Sequence, residues 1–139
     1  TMGQGAEGPW RIGIRDPFGE GLLGALQTGA REAVVTSGLY ERYRWLDGER
    51  CGHVIDPLQA APADELVSVT VVHRSAGVAD AAATALLAAG AVRWPQVAQR
   101  MALDQVLVVE RDGRVRAHAR LARRVAFVSA EWRGRLTTL

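Results

Sequence analysis

A chain of 139 residues, 48% hydrophobic and 23% charged, has the length and composition of one folded domain with a substantial core, which excludes extended disorder. Its 17 basic residues are all arginine and are nearly balanced by 15 acidic ones, so the net charge of +2 excludes a strongly polycationic protein. Cys51 is the only cysteine, which excludes an internal disulfide and a cysteine-based zinc site.

The opening residues 1–8 lack the basic start and apolar run of a leader peptide. No stretch approaches the roughly 18 apolar residues of a membrane span, so no membrane segment is expected in the chain. Pro9–Arg15 alternates apolar and polar residues and reads as a strand, stopped by Asp16-Pro17-Phe18-Gly19. A second strand is predicted over Arg31–Gly38. Tyr40–Trp45 and a return arm carrying Cys51, His53 and Ile55 flank Asp47-Gly48, a dipeptide suited to a tight hairpin, and Asp56-Pro57 ends the arm. Leu66–His73, rich in β-branched residues, reads as a central strand.

Ser75 then caps an alanine-rich helix that closes at Gly90. A second helix is predicted from Trp94 to Leu103, with Pro95 near its first turn. Gln105–Glu110 and Arg114–Ala119 around Asp112-Gly113 form a second hairpin candidate. The last segment, Leu121–Leu139, ends in a polar tail, 129–139, expected to fray. Eight arginines between Arg111 and Arg135 are candidates for attracting an anion, but few aromatics accompany them and nucleic acid is not an expected partner. Residues 1–139 thus read as a single α+β domain, a mainly antiparallel sheet with helices packed on one face.

Within the alanine-rich helix, Asp80 and Thr84 lie four residues apart and share a face. A carboxylate and a hydroxyl at this spacing are two hard oxygen donors of the kind Mg²⁺ takes beside phosphate oxygens and water. The spacing by itself fits two plainer roles equally well: Asp80 favoured by the helix start, and Thr84 as a satisfied buried threonine.

Thr36-Ser37-Gly38-Leu39-Tyr40, the Asp47-Gly48 turn, His53-Val54-Ile55-Asp56-Pro57, Ser68-Val69-Thr70-Val71 and Ala79-Asp80-Ala-Ala-Ala-Thr84-Ala-Leu86 resemble, in order and spacing, the C-terminal half of the ApbE family, the FAD:protein FMN transferases. Pro9–Pro17 is similar to the strand before that block. The resemblance implies an ApbE-like fold and an Mg²⁺-dependent reaction in which FMN passes from FAD, as substrate, to a threonine or serine hydroxyl of a target flavoprotein with release of AMP. Asp80 and Thr84 match the family's metal-binding positions. His53 matches a histidine thought to assist catalysis, since an imidazole can take the proton of an attacking hydroxyl or bond the phosphate. Without the resemblance, it reads as a strand histidine bonded to a backbone carbonyl.

Val54 matches a nucleotide contact made through backbone and packing, with His53 beside it. Asp56 reads as the residue that fixes the turn before Pro57. Three departures stand out. Ala83 occupies the place of a further acidic ligand, Leu58-Gln59-Ala60 replaces a Thr-Gly turn, and the family's N-terminal half, with its lysine-bearing motif, has no counterpart here. The chain is therefore expected to be active only with that missing half or as a homo-oligomer. The alternative is a degenerate, non-catalytic domain that binds a nucleotide or another protein.

Overall fold

The computed structural model describes residues 8–40, 43–46, 49–52 and 54–139. The predicted turn Asp47-Gly48 and the predicted catalytic residue His53 lie outside the described residues. The strands are β1 (Arg11–Arg15), β2 (Leu22–Gln27), β3 (Ala33–Gly38), β4 (Tyr43–Leu46), β5 (Glu49–Gly52), β6 (Ile55–Asp56), β7 (Ala61–Pro62), β8 (Leu66–His73), β9 (Val106–Glu110), β10 (Val115–Ala117), β11 (Ala126–Phe127) and β12 (Leu136–Thr138). The helices are α1 (Ala76–Arg100), α2 (Ala119–Ala122) and α3 (Ala130–Gly134).

A central sheet has the order β12-β10-β9-β8-β3, antiparallel except for the parallel β10–β12 pair. Along β8, side chains alternate between two cores. Val69 and Val71 point toward α1 and pack with Ala79, Ala82, Ala83, Leu86, Leu87 and Trp94. Val72 faces the other way, where a small sheet ordered β1-β2-β11 brings Ile14, Leu23 and Leu26 against Leu107, Val109 and Trp132. The architecture is α+β, mostly antiparallel sheet with helices packed on it.

Strand β2 escapes the periodicity argument because its four inner residues are all buried, between β1 and β11 in the sheet and against the second core. Alternation marks a half-buried strand and fades when both faces are covered. Gly24 permits this closeness, since a Cβ there would sit 2.7 Å from a Val125 methyl carbon. The predicted return arm through Ile55 also divides: β5 ends at Gly52, and Ile55–Asp56 pairs instead with Ala61–Pro62.

The segment 129–139, expected to fray, carries α3 and β12. Ser129 Oγ caps α3 by accepting the Trp132 N–H, the Trp132 ring is buried and stacks on Phe18, and β12 adds a strand to the central sheet. The buried ring, the Ser129 cap and the β10–β12 ladder act together here, so the polarity of the neighbouring residues does not decide their conformation.

The hydrogen-bonded helix α1 is broken conformationally at Gly90, whose φ of 75° and ψ of 178° end its first segment. The Glu65 carboxylate restarts it by accepting the Ala91 N–H at 2.7 Å. The second segment starts earlier than the predicted Trp94, which places Pro95 beyond its first turn. Proline has no N–H to give the Ala91 carbonyl four residues back. Arg116 supplies the missing donor at 2.9 Å, its guanidinium stacked over the Trp94 ring.

By length and composition alone, α1 passes for a helix that could cross a bilayer. Its apolar face lies on the sheet instead. Replacing Gly90 by alanine places a Cβ 2.4 Å from Glu65 Oε2 in a left-handed conformation. Gly90→Ala is expected to cost about 2 kcal/mol, read as a lower urea midpoint with an unchanged slope.

Candidate functional site

Helix α1 lies across β8 and β3, and its alanines keep the layers close. Its N-terminus is capped by Ser75, whose Oγ accepts the Val78 N–H at 3.4 Å, and its first turn holds no acidic residue. Asp80 is one turn further on. Capping therefore does not account for Asp80, which is exposed and has no hydrogen-bond or ion-pair partner among the described residues.

Thr84 is exposed as well, so it is not a buried, satisfied threonine. Its Oγ1 lies 3.3 Å from Ser37 Oγ on β3. Ser37 pairs with Val69 in the ladder and so shares the sheet face that α1 covers. Thr36, its neighbour, points to the opposite face and bonds Thr70 Oγ1 at 2.8 Å.

Asp80 and Thr84 thus leave a carboxylate and a hydroxyl open to solvent on adjacent turns. Among the described residues, no group of three histidine, cysteine or acidic side chains converges on a metal-sized space. Two oxygen donors suit a hard cation that keeps most of its sites for water and phosphate, and do not suit zinc. Ala83 does not share this exposed strip: it is fully buried in the core beneath α1.

Val54 immediately precedes β6. Its side chain is 8% exposed and belongs to the core beneath α1, and its carbonyl accepts the Ala63 N–H at 2.9 Å. Side-chain packing there is directed inward.

Asp56, next along, is the hinge of this segment. Its Oδ1 accepts the Leu58 N–H at 2.9 Å, the Asx turn predicted before Pro57, and its Oδ2 takes the Arg93 guanidinium at 2.5 Å. Arg93 Nε also bonds the Ala89 carbonyl at 2.8 Å, so one guanidinium spans the Gly90 break and ties α1 to the strand beginning at Ile55. Sequence reasoning had no signal for Arg93, because its partner lies 37 residues away. The turn that departs from Thr-Gly closes with Ala60 at a φ of 51°, so the left-handed conformation survives without glycine.

The Leu58 N–H, followed by the Arg93 guanidinium, holds the Asp56 carboxyl below its ordinary value of 3.8. A depressed carboxyl contributes stability above its unfolded value and loses it as pH falls through the folded one. Asp56→Asn keeps the turn acceptor and removes the charge. Its urea midpoint is expected below that of the wild type at neutral pH, with the difference closing as the pH drops below 3.8. A gap that persisted in acid would contradict this account.

The arginine-rich C-terminal region is largely neutralised. Arg111 pairs with Asp64, Arg114 with Glu110 and Asp112, Arg116 with Glu110, Arg120 with Asp104, Arg124 with Glu32 and Arg135 with Glu131. The surface that the sequence presents as a basic run is a set of local ion pairs.

Residues 1–108 match the model of the ApbE family. The chain is similar over its whole length to an FAD:protein FMN transferase of Rhodobacter capsulatus, at 39% identity and covering 27% of that protein. It is 38% identical, over 88% of its length, to one of Treponema pallidum, covering 34% of that protein. Among solved structures, the ApbE protein of Thermotoga maritima superposes on 85% of the chain with a TM-score of 0.76 at 32% identity, and the chain covers 38% of it. Flavin transferase ApbE from Vibrio cholerae gives a TM-score of 0.65 over 86% of the chain, also at 32% identity. The chain spans about a third of the length of the curated relatives it matches.

Proposed function

Because the chain belongs to the ApbE family, we propose that it supplies the Mg²⁺-binding and catalytic portion of a flavin transferase, moving FMN from FAD to a threonine or serine hydroxyl of a target flavoprotein. The observation that supports this reading is Asp80, exposed and without a partner among the described residues, one turn from Thr84, the two residues that by resemblance match the family's metal positions.

In this reading, the acceptor hydroxyl oxygen attacks the phosphorus of the FMN half of FAD. A new phosphoester bond forms, the bridging P–O bond breaks, and AMP leaves with the electron pair of that bond. Mg²⁺, when bound, neutralises diphosphate charge that would repel the incoming oxygen. Asp80 and Thr84 would hold it, with one carboxylate and one hydroxyl oxygen to offer. His53 takes the acceptor's proton, a task suited to an imidazole. The Val54 backbone contacts the nucleotide, and the Asp56–Arg93 pair fixes the distance between this segment and α1.

The remaining walls of the site come from the portion that the relatives carry and this chain does not span, or from a second copy. A non-catalytic role would be favoured by the departures at Ala60 and Ala83. Both lose force, since Ala60 makes the turn and Ala83 fills the core.

FMN transfer to a threonine-containing acceptor, assayed with this chain together with the missing portion, tests the reading. Asp80→Ala and His53→Ala are each expected to lower the rate at least about a hundredfold, the scale of losing a charge-stabilising ligand or a general base. Unchanged rates would remove those assignments.

A further inference from the structure

The Thr84 hydroxyl has a partner outside its own helix. Resting on the metal-dependent reading above, we infer that Ser37 is a positioning residue for the cation site: it accepts the Thr84 hydroxyl proton and so turns the oxygen's lone pairs toward the cation shared with Asp80. A threonine hydroxyl carries one proton and two lone pairs. If a lone pair binds a cation, the proton must point elsewhere and find an acceptor.

Within a helix, the usual acceptor is the carbonyl four residues back. Here that carbonyl belongs to Asp80. A hydroxyl bonded there would lie against the helix backbone, whereas the described bond of Thr84 is to Ser37 Oγ, across the gap to β3.

The strand's register makes Ser37 the residue for this task. The pairing of Ser37 with Val69 sets it on the α1 side of the sheet, while Thr36, the other hydroxyl in the segment, is turned away and engaged with Thr70. At 3.3 Å the contact is long for a hydroxyl pair. A hydroxyl whose oxygen binds a cation becomes a stronger donor, so the need for this acceptor rises when the site is loaded. Groups that orient a metal ligand from behind typically change affinity by about 10- to 100-fold when removed. An exposed pair belongs at the low end of that range.

The test is Mn²⁺ binding to the 139-residue chain assembled with the missing portion, followed by electron paramagnetic resonance, for wild type, Asp80→Ala, Thr84→Ala, Ser37→Ala, Ser37→Thr and the Ser37→Ala/Thr84→Ala double variant. Ser37→Val, which suits a strand position, serves if Ser37→Ala does not fold. Ser37→Ala is expected to weaken Mn²⁺ binding about tenfold. Ser37→Thr should restore most of it, and removing Ser37 in the Thr84→Ala background should change nothing further. Asp80-dependent binding that is indifferent to Ser37, or an equal loss with and without Thr84, overturns the assignment alone. Absence of Asp80-dependent binding overturns the metal reading and this inference with it.

Discussion

The close packing of α1 against β8 and β3 is the constraint from which the site follows. Ala79, Ala82 and Ala83 contribute little area, but they let Leu86, Leu87 and Trp94 sink fully into the layer beneath. Burial of those three side chains is worth about 2 kcal/mol each, whereas the hydroxyl contact of Thr84 with Ser37 is worth at most about 1 kcal/mol. Packing therefore places the helix, and the polar contact reads out where packing has put it. An alanine face brings the helix near enough for Thr84 to touch the strand, and the helical period turns Asp80 to solvent on the same side.

The helix is also anchored in both directions from its break. Gly90 ends the first segment, Glu65 starts the second, Arg116 meets the carbonyl that Pro95 leaves open, and Arg93 reaches across to Asp56. Each of these groups solves a backbone problem that a straight helix would not have. Their joint effect is to fix the segment from Val54 to Pro62 relative to Asp80 and Thr84, on which any reaction shared between them depends.

Much of this was legible in the sequence. Leu66–His73 is an interior strand of the five-stranded sheet between the predicted bounds, Ser75 caps the helix, Gly90 breaks it, and the Asp112-Gly113 hairpin forms as its dipeptide suggests. Those features depend on local patterns. Strand β2 was not legible because burial on both faces erases its alternation. The ordered tail was missed because its stability rests on one ring, Trp132, meeting a distant Phe18. In the site, the spacing of Asp80 and Thr84 announced a pair of donors, whereas Arg93 and Ser37 act across separations that no local pattern records. The arginine run is less cationic than its spacing suggests, since Glu110, Asp112, Asp104 and Glu131 lie inside or beside it and Asp64 and Glu32 reach it from afar.

The central claim is that Asp80 and Thr84 together face one divalent cation. Anomalous diffraction from crystals of this chain soaked in Mn²⁺, with its complementary portion present, tests it most directly. The account predicts a single strong peak within direct bonding distance of both the Asp80 carboxylate and the Thr84 hydroxyl. A peak elsewhere, or none at these residues in crystals that hold Mn²⁺ at another site, would contradict it.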